Sequence, residues 1–156
     1  MKREKVVVLG AGGHARVVAM ALNALGYKSG VFLDDDARKK GMPFVGVWSY
    51  AGQTTEYLVR VGAQGGPSKE GAHYFIVGIG SVDAEGCALR DKFYVMALDA
   101  RLSPLTVISP TAVVVGDLGL GTFVGPRAIV MPGAVVGSNS IINTGAIVEH
   151  GCVAGW

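Results

Sequence analysis

Residues 118–152 have the sequence LGLGTFVGPRAIVMPGAVVGSNSIINTGAIVEHGC, which repeats with a period of six. Each repeat has an aliphatic residue, followed four positions later by a small one. The aliphatic positions are Leu118, Val124, Val130, Val136, Ile142 and Val148, and the small positions are Thr122, Ala128, Ala134, Ser140, Ala146 and Cys152. Hexapeptide repeats are typical of parallel β-helices, in which stacked coils bury one continuous column. The alternative is a glycine-rich β-sandwich, which would need turn signals at longer spacing.

The charged residues divide the chain into two unequal units. After residue 102 only Asp117, Arg127 and Glu149 are charged, whereas the first 102 residues carry the other 23 of the 26 charges. We therefore predict one domain over residues 1–102 and the start of a β-helix domain over residues 103–156.

Composition excludes several classes of protein. The chain has 156 residues, of which 50% are hydrophobic, and a formal net charge of +2, so nucleic acid is not an expected partner. No run approaches the ~18 apolar residues of a membrane span, and the N-terminus lacks a signal-peptide pattern. Cys87 and Cys152 form no metal-binding motif, and we expect reduced, buried thiols in a cytoplasmic protein without a bound metal.

Strand and helix signals alternate in the first unit. This alternation predicts a parallel sheet with right-handed crossovers. The predicted strands cover residues 5–9, 30–33 and 73–79, and the predicted helices cover residues 14–25, 53–61 and 83–98.

A glycine loop joins the first strand to the first helix. Gly10, Gly12 and Gly13 let the backbone approach a phosphate, and the helix N-terminus offers free N–H groups. His14 lies in the first helical turn. A tight turn without a ligand is the alternative for the glycines, and an exposed polar residue is the alternative for His14.

Two further strand ends carry candidate binding residues. Asp34 and Asp35 follow the second strand about 20 residues after the glycine loop, where an acidic residue can bind a ribose hydroxyl. Gly80 and Ser81 follow the third strand, and ligands of open α/β sheets bind at such carboxyl ends. The alternatives are a solvated acidic turn and a plain tight turn. We expect Asp36 to face solvent or begin the next turn, and Arg90 to lie on a solvated helix face.

The order of these motifs resembles the hexapeptide-repeat sugar acyltransferases. The glycine loop, the pair Asp34 and Asp35, and the segment INTGAIVEHGC over residues 142–152 carry the resemblance. The relevant branch includes sialic-acid O-acetyltransferases and UDP-4-amino-sugar N-acetyltransferases. The resemblance implies a small Rossmann-like domain followed by a left-handed β-helix with three hexads per coil, assembled as a homotrimer. The first domain would bind the nucleotide of a UDP-linked sugar, contacted by His14, and the β-helix with a neighbouring subunit would bind acetyl-CoA.

His150 is the candidate general base. Acyl transfer from a thioester requires a group that takes the proton of the nucleophile, and a histidine with a pKa near ~6.5 suits this role. It matches the histidine of the family's VEH segment and should project outward. Glu149 could orient the imidazole, but neighbours in an extended segment point to opposite faces. Family members usually place an acid directly after the histidine, where this chain has Gly151, so contact with a neighbouring subunit is the alternative for Glu149.

Asn143 and Thr144 precede Glu149 and His150 by six residues. We expect stacking at this spacing to place Asn143 near the acceptor sugar, as the family match also suggests. Cys152 is expected at a small inward position and not as a nucleophile.

The leading hypothesis is an acetyl-CoA-dependent acetyltransferase acting on an amino or hydroxyl group of a nucleotide-linked amino sugar or sialic acid. The sequence leaves the sugar, and the choice between N- and O-acetylation, open. Family members continue for several more coils, and the six hexads predict only two coils here, so the alternative is a truncated nucleotide-sugar-binding fragment that lacks the CoA-binding coils. A third hypothesis, suggested by the glycine loop and Asp34, is a nicotinamide-dependent oxidoreductase.

Overall fold

A five-stranded parallel sheet forms the first unit. The computed structural model describes residues 5–40, 48–67, 71–81 and 83–155. The strand order is β3-β2-β1-β4-β5. The elements are β1 Val6–Leu9, α1 Gly13–Ala24, β2 Gly30–Leu33, a 3₁₀ turn Ala37–Lys39, β3 Ser49–Gly52, α2 Thr54–Ala63, β4 Tyr74–Val77, α3 Ala84–Asp99 and β5 Ser103–Pro104.

Helices cover both faces of this sheet. All four residues of β1 are buried because alternate side chains point to opposite faces and each face is covered. Val6 and Val8 pack with α1, whereas Val7 and Leu9 pack with α2 and α3. Each of the six predicted strands and helices is present, with ends shifted by at most two residues. The sequence patterns did not indicate the edge strands β3 and β5, which are short and expose part of their residues.

Nine two-residue strands form the second unit, a short left-handed β-helix. They are β6 Val107–Ile108, β7 Val113–Val114, β8 Asp117–Leu118, β9 Phe123–Val124, β10 Ile129–Val130, β11 Val135–Val136, β12 Ile141–Ile142, β13 Ile147–Val148 and β14 Val153–Ala154. Each of the three faces is a stack of three parallel strands. We call β6, β9 and β12 the docked face, β7, β10 and β13 the second face, and β8, β11 and β14 the third face.

The described residues form three coils of the β-helix, so the prediction of two was wrong. Between the second and third coils, residues that stack on each other are 18 positions apart in the sequence, as Ile129 and Ile147 are. In the first coil, β6 and β7 stack on strands that follow by only 16 residues, as Val107 on Phe123. The step from β7 to β8 is two residues shorter than the corresponding step from β10 to β11. This shorter corner breaks the six-residue period and hides the first coil.

The repeat positions have the expected burial in the middle of the β-helix. Val124, Ala128, Val130, Ala134 and Val136 are buried in one cluster, which confirms the inward column of aliphatic and small residues. The corners explain the other part of the repeat. Residues with positive φ recur at the corners every six positions. A positive φ strongly favours glycine or asparagine. The recurring residues are Gly121, Arg127, Gly133, Asn139, Gly145 and Gly151.

Both cysteines are exposed, so the prediction of buried thiols was wrong. Cys87 lies in the first turn of α3. Cys152 belongs to the last described coil, and its carbonyl accepts a bond from Val135 of the coil below. No described residue stacks on its other side.

The docked face packs against α1. Val107 and Phe123 share a buried cluster with Ala15, Val18 and Leu22 of that helix. The two units therefore share a hydrophobic core. Ser103 and Pro104 of β5 still pair with β4, and the boundary proposed between residues 102 and 103 stays a prediction. Within the described ranges, no helix is long and apolar enough to span a membrane.

Candidate functional site

A cavity of about 460 Å³ opens at the carboxyl ends of β1, β2 and β4. Seven of the predicted binding residues line it. They are Gly10, Gly12, Gly13, His14, Asp34, Asp35 and Gly80. Parallel strands bring their carboxyl ends to one edge of a sheet, which is why residues far apart in sequence meet here.

The glycines of the loop have different structural reasons. Gly10 has φ +110°, and a Cβ there would lie 2.8 Å from Cγ1 of Ile79, so both conformation and space require glycine. A Cβ at Gly12 or Gly13 would meet no atom within 4 Å. These two glycines leave open space in front of the loop, where a ligand could approach the backbone.

Asp34 holds the glycine loop in place. Its carboxylate accepts hydrogen bonds from the backbone N–H groups of Ala11 at 2.7 Å and Asp36 at 2.9 Å. It also pairs with Nζ of Lys39 at 2.9 Å. The loop, the 3₁₀ turn and the end of β2 are therefore fixed to one another through a single side chain.

The carboxylates of Asp35 and Asp36 also accept hydrogen bonds within the protein. Asp35 accepts bonds from the backbone N–H and the hydroxyl of Thr55, at 3.0 and 2.6 Å, and thereby fixes the start of α2. Asp36 begins the next turn as expected, capping the 3₁₀ turn, and its hydrogen bonds with Arg38 lower its pKa to about 2.

His14 lies between the cavity and the β-helix. Its ring meets that of Phe123 edge-on, with centroids 5.1 Å apart and planes at 88°. Its Nε2 is buried and has no hydrogen-bond partner among the described residues. Burial, and then the positive charge of Arg90, lower the pKa of His14 from 6.5 to about 4. The imidazole is therefore neutral at pH 7, and Nε2 remains available to a ligand.

Seven residues of the cavity were not among the binding residues predicted from the sequence. They are Asp36, Lys39, Thr54, Gly78, Ile79, Leu89 and Phe93. Thr54, the first residue of α2, is fully buried, and its hydroxyl has no hydrogen-bond partner in the described part of the chain. A threonine at the predicted start of a helix could have indicated Thr54 as a binding residue. Only tertiary packing brings Lys39, Leu89 and Phe93 to the cavity.

Arg90 is buried, so the prediction of a solvated helix face was wrong. Its side chain is 6% exposed. The guanidinium donates hydrogen bonds to the carbonyls of Val77 and Ile79 at the end of β4. It also donates to the carbonyl and the side-chain Oδ1 of Asn139, at 2.6 and 3.0 Å. The sequence did not indicate that a β-helix corner covers this part of α3.

Ser81 lies in a second cavity. This cavity, of about 200 Å³, separates the start of α3 from a corner of the β-helix. The Ser81 hydroxyl donates to the carbonyl of Asp83 at 2.8 Å. The residues that line this second cavity are Ser81, Cys87, Arg90, Asp91, Asn139, Ser140, Ile141 and Gly155. The described residues contain no group of three His, Cys, Asp or Glu side chains that could hold a metal ion.

His150 and Glu149 are exposed and lie apart from both cavities. They follow β13 and precede β14, at the corner between the second and third faces. That corner is opposite the docked face, against which α1 packs. Asn143 and Thr144 are also exposed, at the corner between the docked and second faces. Residues six apart occupy neighbouring corners and those 18 apart stack, so the expected stacking of the two pairs was wrong.

Residues 5–94 match the family model of the PglD N-terminal domain. The chain belongs to this family. No curated protein sequence matches the chain.

Solved structures extend the similarity over both units. The acetyltransferase domain of PglB from Neisseria gonorrhoeae, solved with acetyl coenzyme A, is 31% identical with a TM-score of 0.76. The match covers 97% of this chain and 67% of that one. A histidine-to-asparagine variant of perosamine N-acetyltransferase from Caulobacter crescentus, solved with CoA and GDP-perosamine, is 30% identical with a TM-score of 0.78, over 97% and 65% of the two chains.

WeeI from Acinetobacter baumannii shares the fold, with 18% identity, a TM-score of 0.69, and coverage of 96% and 66%. The chain thus spans about two thirds of the length of each of these structures. The family membership and the PglB and perosamine enzyme structures confirm the resemblance to hexapeptide-repeat sugar acyltransferases, and by that resemblance the chain is an enzyme.

Proposed function

We propose that this protein transfers an acetyl group from acetyl-CoA to the amino group of a nucleoside-diphosphate-linked sugar. The observation that carries the proposal is the cavity formed by the glycine loop, next to a β-helix that exposes His150. The two similar acetyltransferases support it, since one was solved with acetyl coenzyme A and the other with CoA and GDP-perosamine.

The cavity suits the nucleotide part of such a substrate. Helix α1 begins at the glycine loop without a side-chain cap, so its first N–H groups can bind a diphosphate. The buried Nε2 of His14 and the Thr54 hydroxyl, both without partners among the described residues, supply unused hydrogen-bonding capacity. The volume lies in the range of small-molecule sites, roughly 300–1,000 Å³. Asp34 would act mainly by holding the loop, and Asp35 and Gly80 would contact the nucleoside and the sugar-phosphate end.

His150 is proposed as the general base. Its imidazole takes a proton from the amine as the nitrogen bonds to the thioester carbonyl carbon. Collapse of the tetrahedral species breaks the carbon–sulfur bond, and the CoA thiolate leaves and takes up that proton. Its exposed position gives the imidazole access to both substrates. Glu149 would orient the imidazole or contact a neighbouring chain, and Asn143, Thr144 and Ser81 would contact the acceptor.

Topology supports an active site shared between chains. The cavity adjoins the docked face through His14 and Phe123, whereas His150 lies at the opposite corner of the same β-helix. A sugar held in the cavity would therefore meet His150 of another copy. This arrangement agrees with the homotrimer that the family resemblance implies. Exposed apolar residues on the second and third faces, such as Val113, Ile147 and Val153, would be covered in such an assembly.

The test compares two histidines. The protein is incubated with acetyl-CoA and either a UDP-linked or a GDP-linked 4-amino sugar, and product is detected by the mass of an added acetyl group. His150→Gln should lower turnover by roughly 10²-fold or more with nucleotide-sugar binding unchanged. His73→Gln, in a half-buried histidine remote from both cavities, is the matched control and should retain activity.

The outcomes separate the alternatives. Full activity of His150→Gln would remove this residue from the mechanism. Acetylation of a hydroxyl, or of free sialic acid, would change the acceptor. Nucleotide-sugar binding by the wild-type protein without any transfer would favour a binding protein over an enzyme.

A further inference from the structure

Arg90 is a buried cation that binds to both units of the molecule. Its four hydrogen-bond acceptors are the carbonyls of Val77, Ile79 and Asn139 and the side-chain Oδ1 of Asn139. Burial lowers its pKa to about 10, so the guanidinium stays charged at pH 7. Charge-assisted hydrogen bonds of this kind are stronger than neutral ones, and the planar guanidinium fixes their directions.

One end of this network holds the wall of the first cavity. We call residues 78–80 the pocket loop. It follows β4 directly, and all three of its residues, Gly78, Ile79 and Gly80, line the cavity. A Cβ at Gly80 would lie 3.0 Å from Cβ of His14, so the pocket loop packs closely on α1. The bond from Arg90 to the Ile79 carbonyl fixes the middle of this loop.

The other end of the network holds a β-helix corner. Asn139 adopts φ +56°, and its backbone N–H donates to the carbonyl of Leu120 at 2.9 Å. Its side-chain Nδ2 donates to Asp91 at 3.0 Å, one residue after Arg90. The side chain of Asn139 is thus bonded to α3 through both its oxygen and its nitrogen, which orients the corner relative to the pocket loop.

We infer that Arg90 is a positioning residue that sets the conformation of the pocket loop by bonding it to the Asn139 corner of the β-helix. Neither Arg90 nor Asn139 lines the first cavity. Their effect on a ligand in that cavity therefore acts through the pocket loop. Docking of the β-helix and the shape of the nucleotide site are coupled by this one side chain. The part of the inference that concerns ligand affinity rests on the proposed function, whereas the part that concerns the loop does not.

Tyr94 provides a matched control on the same helix. Its hydroxyl donates to the Leu120 carbonyl at 3.1 Å, so it also bonds α3 to the β-helix, but it makes no bond to the pocket loop. Tyr94→Phe removes the hydrogen bonding of this hydroxyl across the same interface and keeps the ring. An effect that arises merely from weakening the interface between α3 and the β-helix will therefore also appear in Tyr94→Phe.

The experiment measures amide hydrogen exchange of residues 78–81 in the unliganded protein, together with calorimetric affinity for UDP and GDP. Arg90→Lys keeps the charge but cannot reach the loop and the corner together, and Asn139→Gly keeps the positive φ but removes both side-chain bonds. We expect each to speed exchange of the pocket loop and weaken nucleotide binding by about tenfold, and Tyr94→Phe to change neither.

Two results would overturn the inference. One is unchanged exchange of the pocket loop in both variants, and the other is equal acceleration in Tyr94→Phe. If Arg90→Lys does not fold, Asn139→Gly decides by the same two readouts. If the wild-type protein binds neither nucleotide, the proposed function fails, and the exchange rates still decide the role of Arg90.

Discussion

His14 connects the cavity chemistry to the stability of the fold. The folded protein keeps its imidazole neutral, with a pKa of about 4 against the usual 6.5, chiefly because the ring is buried. Between these two values the unfolded chain binds a proton that the folded protein does not. Stability from this group is therefore fully present above pH 6.5 and is lost as the pH falls towards 4.

This difference predicts a pH-dependent loss of stability. By pH 5 the wild-type protein should lose about 2 kcal/mol from His14 alone. His14→Leu, which cannot titrate, should lack this component of the pH dependence. Urea unfolding at pH 7 and pH 5 measures both proteins. Parallel losses in the two proteins would contradict the assignment.

Substitution of Gly13 tests whether glycine is needed at this position for folding or for ligand binding. Gly13 is exposed and begins α1, and a Cβ there would meet no protein atom within 4 Å. Gly13→Ala should therefore leave stability unchanged or raise it by roughly 0.5 kcal/mol. The same methyl group occupies the space in front of the loop, so nucleotide binding should weaken about tenfold or more. Thermal unfolding and calorimetry test the two parts, and unchanged affinity would show that no phosphate approaches this backbone.

The cavity could be predicted from the sequence only in part. Gly10, Gly12 and Asp34 follow strands in a recognisable order, because a parallel sheet gathers such residues at one edge. Lys39 and Phe93 have no local signal. Arg90 has a misleading one, since an arginine on a helix is normally solvated and only the β-helix corner buries it.

At the scale of elements, close contact between α1 and β4 sets the floor of the cavity. A Cβ at Gly78 would lie 2.6 Å from Cγ1 of Val8 and 2.9 Å from Cβ of Ala15. Both neighbours belong to the buried core of the sheet and cannot move independently.

Gly78→Ala should therefore destabilise the protein by about 1–3 kcal/mol. The matched control is Gly62→Ala in α2, where a Cβ would meet Ala100 at an ordinary contact distance of 3.7 Å. That variant should be neutral or slightly more stable, because alanine restricts the unfolded chain. Urea unfolding compares the two, and equal effects would contradict the close packing.

The repeats show why element prediction succeeded in the second and third coils and failed in the first. The second and third coils keep the period of six because every corner has the same length. In the first coil the corner between Val114 and Asp117 is two residues shorter than the corner between Val130 and Val135. A period search cannot detect a coil whose corner length differs, although the same three faces continue through it.

For the whole molecule, the proposed function requires assembly. His150 and the cavity of one chain lie on opposite sides of its β-helix, so the proposed reaction needs a second copy. Because the family resemblance implies a homotrimer, we expect a mass in solution of about three times the 16.1 kDa of one chain, which light scattering measures.

Mixed assemblies test the shared site directly. His150→Ala chains lack the proposed base, and Gly13→Asp chains place a carboxylate at the proposed diphosphate site, at a helix N-terminus that tolerates it. Each variant alone should be inactive. Refolded together from urea, they should regain activity, because some interfaces combine an intact cavity with an intact histidine. A mixture that stays inactive, while wild-type protein recovers under the same treatment, would place both parts within one chain.

Binding of a nucleoside-diphosphate sugar in the glycine-loop cavity is tested by calorimetric titration of the wild-type protein with UDP-N-acetylhexosamine, a GDP-linked hexose and, separately, NAD. We predict saturable binding of a nucleoside-diphosphate sugar at one site per chain, loss of that binding in Gly13→Asp, and no binding of NAD. Binding of NAD without binding of either sugar nucleotide would contradict the proposed function and make the glycine-loop cavity a dinucleotide site.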